Sequence, residues 1–502
     1  MIILDGEADG RTKEDTYNGL TLRHPQAAFT RSTSPLPDYD TSEAQHWKTI
    51  ADPPVRWKLD PRFWKAGLYA LVIYVLLSIL IVVPILIWKT RKESSSPSTF
   101  WTLGPAPSLW AVENSNLPAP LQLATGGSTN GDKNRTCNVW YTISTSENLA
   151  KARFTLAPTG LITIRSNISY NTFNTDQLNG SLSVSMNKDY DEDDVEFNLE
   201  MKYSSEQLRQ RTDICFSRAG ANRGLSIYIP KDFGDDDHLE FQIDVVLPRV
   251  KSSVDSLITY LPLFSQSFGD LRSKLNINRF AVEGATFPIS CKFIEASEIW
   301  VKNVGAPIDG TFNATAALTL DSIKGSITTD IFLTRPYLPV RPTLLTMDTG
   351  DSSIYANITL DSAETTEWSK GSPGFVALVK TFNGPLNLDI TLKDNVPVSP
   401  LQLQVQNNFA QTSVALDSYY EGSFSVQTKL SQVFVKDTAE SPRDDPANAK
   451  RPRTLLYDQI LGSRASGWVG WGFRPMGSQR AVQSYVEIVS ALGPVSLAFG
   501  PG

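Results

Sequence analysis

Histidine and cysteine, the residues most often recruited as metal ligands and catalytic partners, number only three each in a chain of 502 residues. The disulfide candidates Cys137, Cys215 and Cys291 are spaced like neither a zinc site nor a redox Cys-x-x-Cys. One bridge can form among them, leaving one thiol either buried or paired between chains. Beyond His24 and His46 the sole histidine is His238, in Asp235-Asp-Asp-His238, and any Ser-His-Asp triad would have to use it. No Gly-x-Ser-x-Gly elbow supplies a nucleophile for such a triad. A dense basic patch is also lacking. Net charge is −7, and Lys450-Arg-Pro-Arg453 is an isolated cluster, which argues against nucleic acid as a partner. Asp5, Glu7 and Asp9 follow Met1 too closely for the apolar core of a secretory signal peptide. Aspartate and glutamate number 53 but are scattered, so no pair stands out for glycan hydrolysis. The acidic series Asp189, Asp191, Asp193 and Glu200 has the spacing of an EF-hand. It lacks the glycine at the sixth position, and the alternating Val195, Phe197, Leu199 and Met201 read as a strand where a helix should leave the loop. No enzyme activity, cofactor or metal is therefore expected.

What the sequence does contain is one uncharged apolar run, Ala66 to Trp88. At about 1.5 Å per helical residue it spans a hydrocarbon core of roughly 30 Å. Trp64 and Trp88 stand where aromatic side chains settle at a membrane surface. Lys48, Arg56, Lys58, Arg62 and Lys65 precede the run, while only Lys89, Arg91 and Lys92 follow it closely. That bias predicts a single-pass signal-anchor with the N-terminus in the cytosol (type II) and the C-terminal part extracellular or lumenal. The glycosylation sequons at Asn134, Asn167, Asn179, Asn313 and Asn357 all follow the run.

Residues 1–65 lack hydrophobic periodicity and read as a disordered cytosolic tail. Within it Leu36, Pro37 and Tyr39 form a Leu-Pro-x-Tyr relative of the ligands of WW domains, in which a polyproline turn presents Pro and Tyr rings. Residues 66–88 are the transmembrane helix, and 89–135 a Ser/Thr/Pro/Gly-rich stalk. From 136 onward the chain alternates apolar and polar residues, as in Val195–Met201 and Leu239–Val245, and predicts strands. A β-rich domain is expected over 136–290 and a repeated β domain over 291–502, with a disordered insertion at 437–453. Trp468 and Trp471 either form a carbohydrate platform or cap a β core.

The repeat consists of a strand, a small polar turn and a second strand. Its turns are Asn303-Val-Gly-Ala-Pro-Ile308, Asp321–Ile327, Asp348–Ile354, Lys380-Thr-Phe-Asn-Gly-Pro-Leu386, Asn407–Val414 and Ser490-Ala-Leu-Gly-Pro-Val495. The first five close on Ile308, Ile327, Ile354, Leu386 and Val414. Such a period suits stacked coils, each burying its apolar face on its neighbours, although an antiparallel sandwich also accommodates it. In the strands after these turns Asn313 and Asn357 fall in the outward phase.

Val301–Phe312, Lys380–Leu386, Val489–Leu497 and the tail segment Leu36–Gln45 resemble a family of fungal, chiefly basidiomycete, single-pass membrane proteins with an adhesin-like repeated β domain. The likeness is close over 290–502, extends to the tail and span by layout, and is weak over 136–290. Asp348–Ile354 departs from the pattern by lacking proline, and Asn407–Val414 by lacking both glycine and proline. The resemblance implies a surface or lumenal β domain and supplies no catalytic residues.

The expectation is thus a mainly β protein: an elongated β-solenoid-like or stacked β-sandwich ectodomain, one transmembrane helix and a disordered N-terminal tail. Its expected role is structural or binding, at the plasma membrane or an endomembrane. Its expected partners are the membrane, a cell-wall glycan or protein, and a WW-domain protein at the tail. The alternatives are a lumenal lipid- or protein-binding adaptor with a cytosolic sorting motif, and a wall glycan hydrolase.

Overall fold

The computed structural model describes residues 135–168, 175–188, 193–219, 223–249, 252–272, 275–335, 342–362, 373–393, 400–437, 451–475 and 484–500. By compactness the chain divides into Met1–Thr102 and Leu103–Gly502, and every described residue belongs to the second unit. The tail 1–65 with Leu36, Pro37 and Tyr39, the apolar run 66–88, the stalk up to Asn134, and Asp189 and Asp191 lie outside the described residues. No helix among the described residues is long and apolar enough to cross a membrane.

The protein is mainly β. Alternation of apolar and polar residues puts one set of side chains on each face of a strand, and the apolar set is buried only if strands stack over it. Among the described residues 27 strands join into one sheet. Its pairings form two parallel ladders, through which the chain winds in successive coils. The first ladder holds the strands that run into the tight turns: Gly224–Tyr228, Gly160–Ser166, Ser252–Tyr260, Leu275–Glu283, the C-terminal halves of Ile289–Asn303 and Ile308–Ser322, then Thr343–Thr349, Phe375–Thr381 and Leu401–Asn407. The second holds the strands that leave those turns. They are Leu239–Leu247, Leu178–Met186, Phe264–Asp270, the N-terminal halves of the two long strands, Ile327–Arg335, Ile354–Ser362, Leu386–Leu392 and Thr412–Leu416. Parallel neighbours throughout this stack decide for coils over the antiparallel sandwich. The core lies between the ladders, where Ile308, Ile327, Ile354 and Leu386 are fully buried one above another.

The expected division at 290/291 is not formed. It falls inside the strand Ile289–Asn303, which is hydrogen-bonded to coils on both sides. The expected insertion 437–453 is shorter at both ends: Asp437 ends the strand Val433–Asp437, and Arg453 opens the strand Arg453–Leu461. Arg453 Nε and Asp437 Oδ2 lie 3.6 Å apart, so an ion pair joins those ends.

The last coil breaks the sequential order. Ser484–Ser490 pairs with Leu401–Asn407 on one side and with Gly422–Thr428 on the other. Val495–Phe499 likewise lies between Thr412–Leu416 and Val433–Asp437. The chain therefore lays down coil 422–437 one place too far along the stack and fills the gap with its C-terminus. Beyond the gap, the hairpin of Arg453–Leu461 and Arg464–Trp471 extends the first ladder with antiparallel strands. At the opposite end, antiparallel strands again cover the edges. Val195–Tyr203 and Leu149–Leu156 follow Leu239–Leu247, while Asp213–Ser217 and Arg135–Cys137 follow Gly224–Tyr228. Cys137 and Cys215 are direct cross-strand partners there and form the disulfide. Cys291 is free and buried; burial pushes its thiol up, which leaves it protonated and unreactive.

The tight turns are the repeating device. A buried polar residue precedes each: Asn303, Ser322, Thr349, Thr381, Asn407, Ser490 and Thr428. Ser322 Oγ accepts from Gly325 N at 2.9 Å, and Asn407 Nδ2 donates to Gly384 O at 3.0 Å. The fourth position of the turn, in stacking order, is Ala306, Gly325, Ser352, Gly384, Ala410, Gly493 and Ser431. Glycine alternates with another small residue for a steric reason. A Cβ at Gly325, Gly384 or Gly493 would lie 1.8, 1.7 or 1.9 Å from the carbonyl oxygen of Ala306, Ser352 or Ala410 in the turn beneath.

On the outward face of the first ladder, Lys302, Asp321, Asp348 and Lys380 are successive cross-strand partners. Burial raises both aspartate carboxyls above their ordinary range, and Asp321 raises that of Asp348 further. A carboxyl whose pKa is higher folded than unfolded stabilises the protonated fold, and that contribution is lost as pH rises through the folded pKa. Asp348→Asn is therefore expected to raise the thermal midpoint at neutral pH by the equivalent of about 1 kcal/mol or less, the size of an opposed like-charge pair. The gain should shrink as pH falls through the carboxylate range, as the wild-type carboxyl takes up its proton. Equal midpoints at pH 7 would rule out this accounting.

Candidate functional site

The outward face of the second ladder carries a cavity of about 450 Å³. Parallel register builds it, because residues at the same distance from the tight turn in each coil fall in one row across the strands. Thr311, Asp330, Asn357, Asp389 and Ala415 form one such row. Asp309, Thr328, Tyr355, Asn387 and Ser413 form the next row toward the turns. Neighbouring strands are about 4.8 Å apart, so Asp330 and Asp389 stand about 10 Å from one another with Asn357 between them.

Asn357 Nδ2 donates to Asp330 Oδ1 at 2.8 Å, which fixes the amide against its neighbour in the row. Burial raises the Asp389 carboxyl, and the nearby charge of Asp417 raises it further. Tyr355 is 43% exposed and lines the cavity beside this row. A second cavity of about 330 Å³ lies on the same ladder, bordered by Asn179, Glu240, Ser265 and Phe287. The larger groove thus offers carboxylate and amide groups at fixed spacing along one line, with an aromatic side chain beside it. That chemistry suits a chain of hydroxyl groups on an apolar ring skeleton.

The sequons are placed as follows. Asn179, Asn313 and Asn357 all point outward from the second ladder, and Asn179 and Asn357 border the two cavities. Asn179 Nδ2 donates to Thr175 O at 3.2 Å, and Asn313 Oδ1 accepts from Thr334 Oγ1 at 3.0 Å. Asn167 is exposed, but both its amide atoms bridge to the main chain of Ile229. Asn134 lies outside the described residues. Trp468 and Trp471 are almost wholly buried, so the sugar-platform reading of that pair is overturned. Both belong to the hairpin strand Arg464–Trp471, where Gly470 leaves room for the Trp468 ring that a Cβ would meet at 2.5 Å.

His238 hydrogen-bonds through Nδ1 to Asp176 O at 2.6 Å. Glu200 is ion-paired with Lys151 across the antiparallel strands. No group of three or more His, Cys, Asp or Glu side chains that could hold a metal ion exists among the described residues. Sequence reasoning missed Asp330, Tyr355, Asn387 and Asp389. The signal was available: Thr311, Asp330, Asn357 and Asp389 each stand three residues after the residue closing their turn.

No family model matches the chain. No curated protein matches it either. Among solved structures, it is similar to a "putative cell adhesion protein" from Clostridium sporogenes ATCC 15579 at 9% identity, over 70% of this chain and 98% of that one, with a TM-score of 0.14. So low a score carries neither fold nor function across.

Proposed function

We propose that this chain is a membrane-anchored, non-catalytic binding protein whose coils face the cell exterior or an endomembrane lumen and hold a surface or wall glycan in the groove of the second ladder. The observation that carries this reading is the cross-strand row of Asp330, Asn357 and Asp389 beside Tyr355. The apolar run Ala66–Trp88, followed by the sequons, supports the anchor and its orientation. Binding is favoured over hydrolysis because Asn357 fills the space between the two carboxylates. An inverting glycosidase keeps that space open for substrate and water at a carboxyl separation of about 6.5–9.5 Å.

The test is a titration of the full chain in detergent micelles with soluble β-glucan and mannan oligosaccharides. Asp330→Asn combined with Asp389→Asn, and separately Tyr355→Ala, should each weaken binding about tenfold or more, as expected when a charged hydrogen bond or a stacked ring is lost. The thermal midpoint of Tyr355→Ala should stay put, since that ring is largely exposed, and the double Asp variant should hold or gain a little, since burial disfavours the Asp389 carboxylate. A glycan on Asn357 would replace its bond to Asp330 and occupy the groove. Peptide mapping should accordingly find Asn357 unmodified in the binding-competent chain. Unchanged affinity in both variants, or full glycan occupancy at Asn357, would sink the groove as the binding site.

A further inference from the structure

The edge of the stack formed by the tight turns has a property of its own. Its outermost side chains, in stacking order, are Ile323, then Phe382, Phe409, Leu492 and Leu430, with the turn at Gly350 and Asp351 between the first two. They are 49%, 49%, 45%, 41% and 78% exposed. Phe382 and Phe409 meet edge to face with ring centroids 4.9 Å apart. Five large apolar residues in single file, over about 24 Å at the strand spacing, are more than the scattered exposure any surface shows.

Loops usually stay in water because their main chain needs it. Here each tip donates its own N–H to the adjoining turn: Ile323 to Asn303 O, Phe382 to Gly350 O, Phe409 to Phe382 O, Leu492 to Asn408 O and Leu430 to Ala491 O, all between 2.8 and 3.3 Å. Asp351 N closes the gap in the row by donating to Ile323 O at 3.1 Å. An edge whose tip amides are already paired can enter a low-dielectric phase without the main-chain cost that bars ordinary loops from lipid. Exposed Lys324 and Lys429 stand beside Ile323 and Leu430, toward the two ends of the row, with Asp351 as the acid among them. Two lysines flanking an apolar line complement an anionic headgroup layer.

We infer that this turn edge is a membrane-interface contact: Ile323, Phe382, Phe409, Leu492 and Leu430 insert at the headgroup–acyl boundary of an anionic bilayer while Lys324 and Lys429 engage its phosphates. The inference rests on the membrane-anchored reading above, since an anchor in the same chain keeps a bilayer at high effective concentration. It gives the coils a fixed face toward the membrane and leaves the ladder faces standing off it.

The experiment uses the full chain reconstituted in phosphatidylcholine vesicles with about one-fifth phosphatidylserine. Its native cysteines are bonded or buried, so one added cysteine carries a bimane probe, at Phe409→Cys, at Leu430→Cys or, as control, at Asn276→Cys on the first ladder away from the turns. Lipids bearing nitroxides about 5–10 Å below the surface should cause a loss of fluorescence at Phe409→Cys and Leu430→Cys but not at Asn276→Cys. Adding Phe382→Ser and Phe409→Ser to the Leu430→Cys chain should restore the signal. Extraction with alkaline carbonate reads the anchor separately. Release of the chain by carbonate with quenching retained supports the contact and removes the anchor. Ridge probes no more quenched than Asn276→Cys overturn the inference, whether or not carbonate releases the chain. A probe change that follows chain concentration without lipid also overturns it, in favour of a second copy.

Discussion

Removing residues 484–502 should open the C-terminal end of the stack while leaving the earlier coils folded. The deleted segment contributes Val486, Ile488, Val495, Leu497 and Phe499, all fully buried. At about 1.5–3 kcal/mol for each such side chain, burial worth on the order of 10 kcal/mol disappears, comparable with the stability of a whole domain. Coil 422–437 cannot slide inward to close the gap. Its fourth turn residue is Ser431, and the place next to Ala410 requires glycine, because a Cβ there would meet Ala410 O at 1.9 Å. Repeats that touch only their neighbours lose stability locally. The hairpin holding Trp468 and Trp471 should therefore come loose with coil 422–437. A red shift of tryptophan emission and new proteolytic cleavage between 417 and 471 should report it, with a protected core ending near Leu416. A truncated chain that keeps the parental emission and cleavage pattern would show that the slot closes by itself and would refute the argument.

This intercalation also marks where sequence reasoning stopped. Strand character was legible because alternation is a local property, and Ile354, Ala356, Ile358 and Leu360 do share the buried face. The recurrence of the turns and the alternation of the strands between them favour stacked coils over a sandwich, and those strands pair in parallel. The period was irregular for a physical reason: the return from second to first ladder ranges from a bend within Ile289–Asn303 to the stretch between Ser362 and Phe375. Only the tight turns have fixed length. At Asn407 the six-residue turn closes on Thr412, the register partner of Leu386, and Val414 lies two residues further along the same face. Thr412 was overlooked because a threonine stands where the other copies have an aliphatic side chain. The turn Thr428–Val433, which like Asn407–Val414 has neither glycine nor proline, went unnoticed. The glycine alternation could not be read in chain order, since Ser431 precedes Gly493 in sequence and follows it in the stack. Of the two sequence readings of Trp468 and Trp471, the cap of a β core is the one their burial fits, and the hairpin laid across Gly422–Thr428 supplies it.

Gly384→Ala is expected to be among the costliest single-atom additions to the molecule. The added Cβ would lie 1.7 Å from Ser352 O and 2.0 Å from its carbonyl carbon, so one of two stacked turns must move. Neither is free to do so. Ser352 O accepts from Thr381 Oγ1 at 2.9 Å, and Phe382 and Asn383 donate to Gly350 O at 3.0 and 3.2 Å. Overpacking costs about 1–3 kcal/mol, and each turn hydrogen bond lost adds about 1 kcal/mol, giving a total near 3–5 kcal/mol. Gly462→Ala in the C-terminal hairpin turn is the matched control, because nothing lies within 4 Å of a Cβ there. It should change stability by less than about 0.5 kcal/mol, as surface substitutions do. Urea unfolding of the full chain in detergent measures both. Gly325→Ala and Gly493→Ala should behave like Gly384→Ala, whereas Ala306→Gly and Ala410→Gly, which add no atom, should cost only the entropy of an extra glycine, about 0.5–1 kcal/mol. A Gly384→Ala midpoint indistinguishable from that of Gly462→Ala would mean that the turns are not stacked as tightly as the alternation requires. The register that builds both the groove and the apolar edge would then lose its explanation.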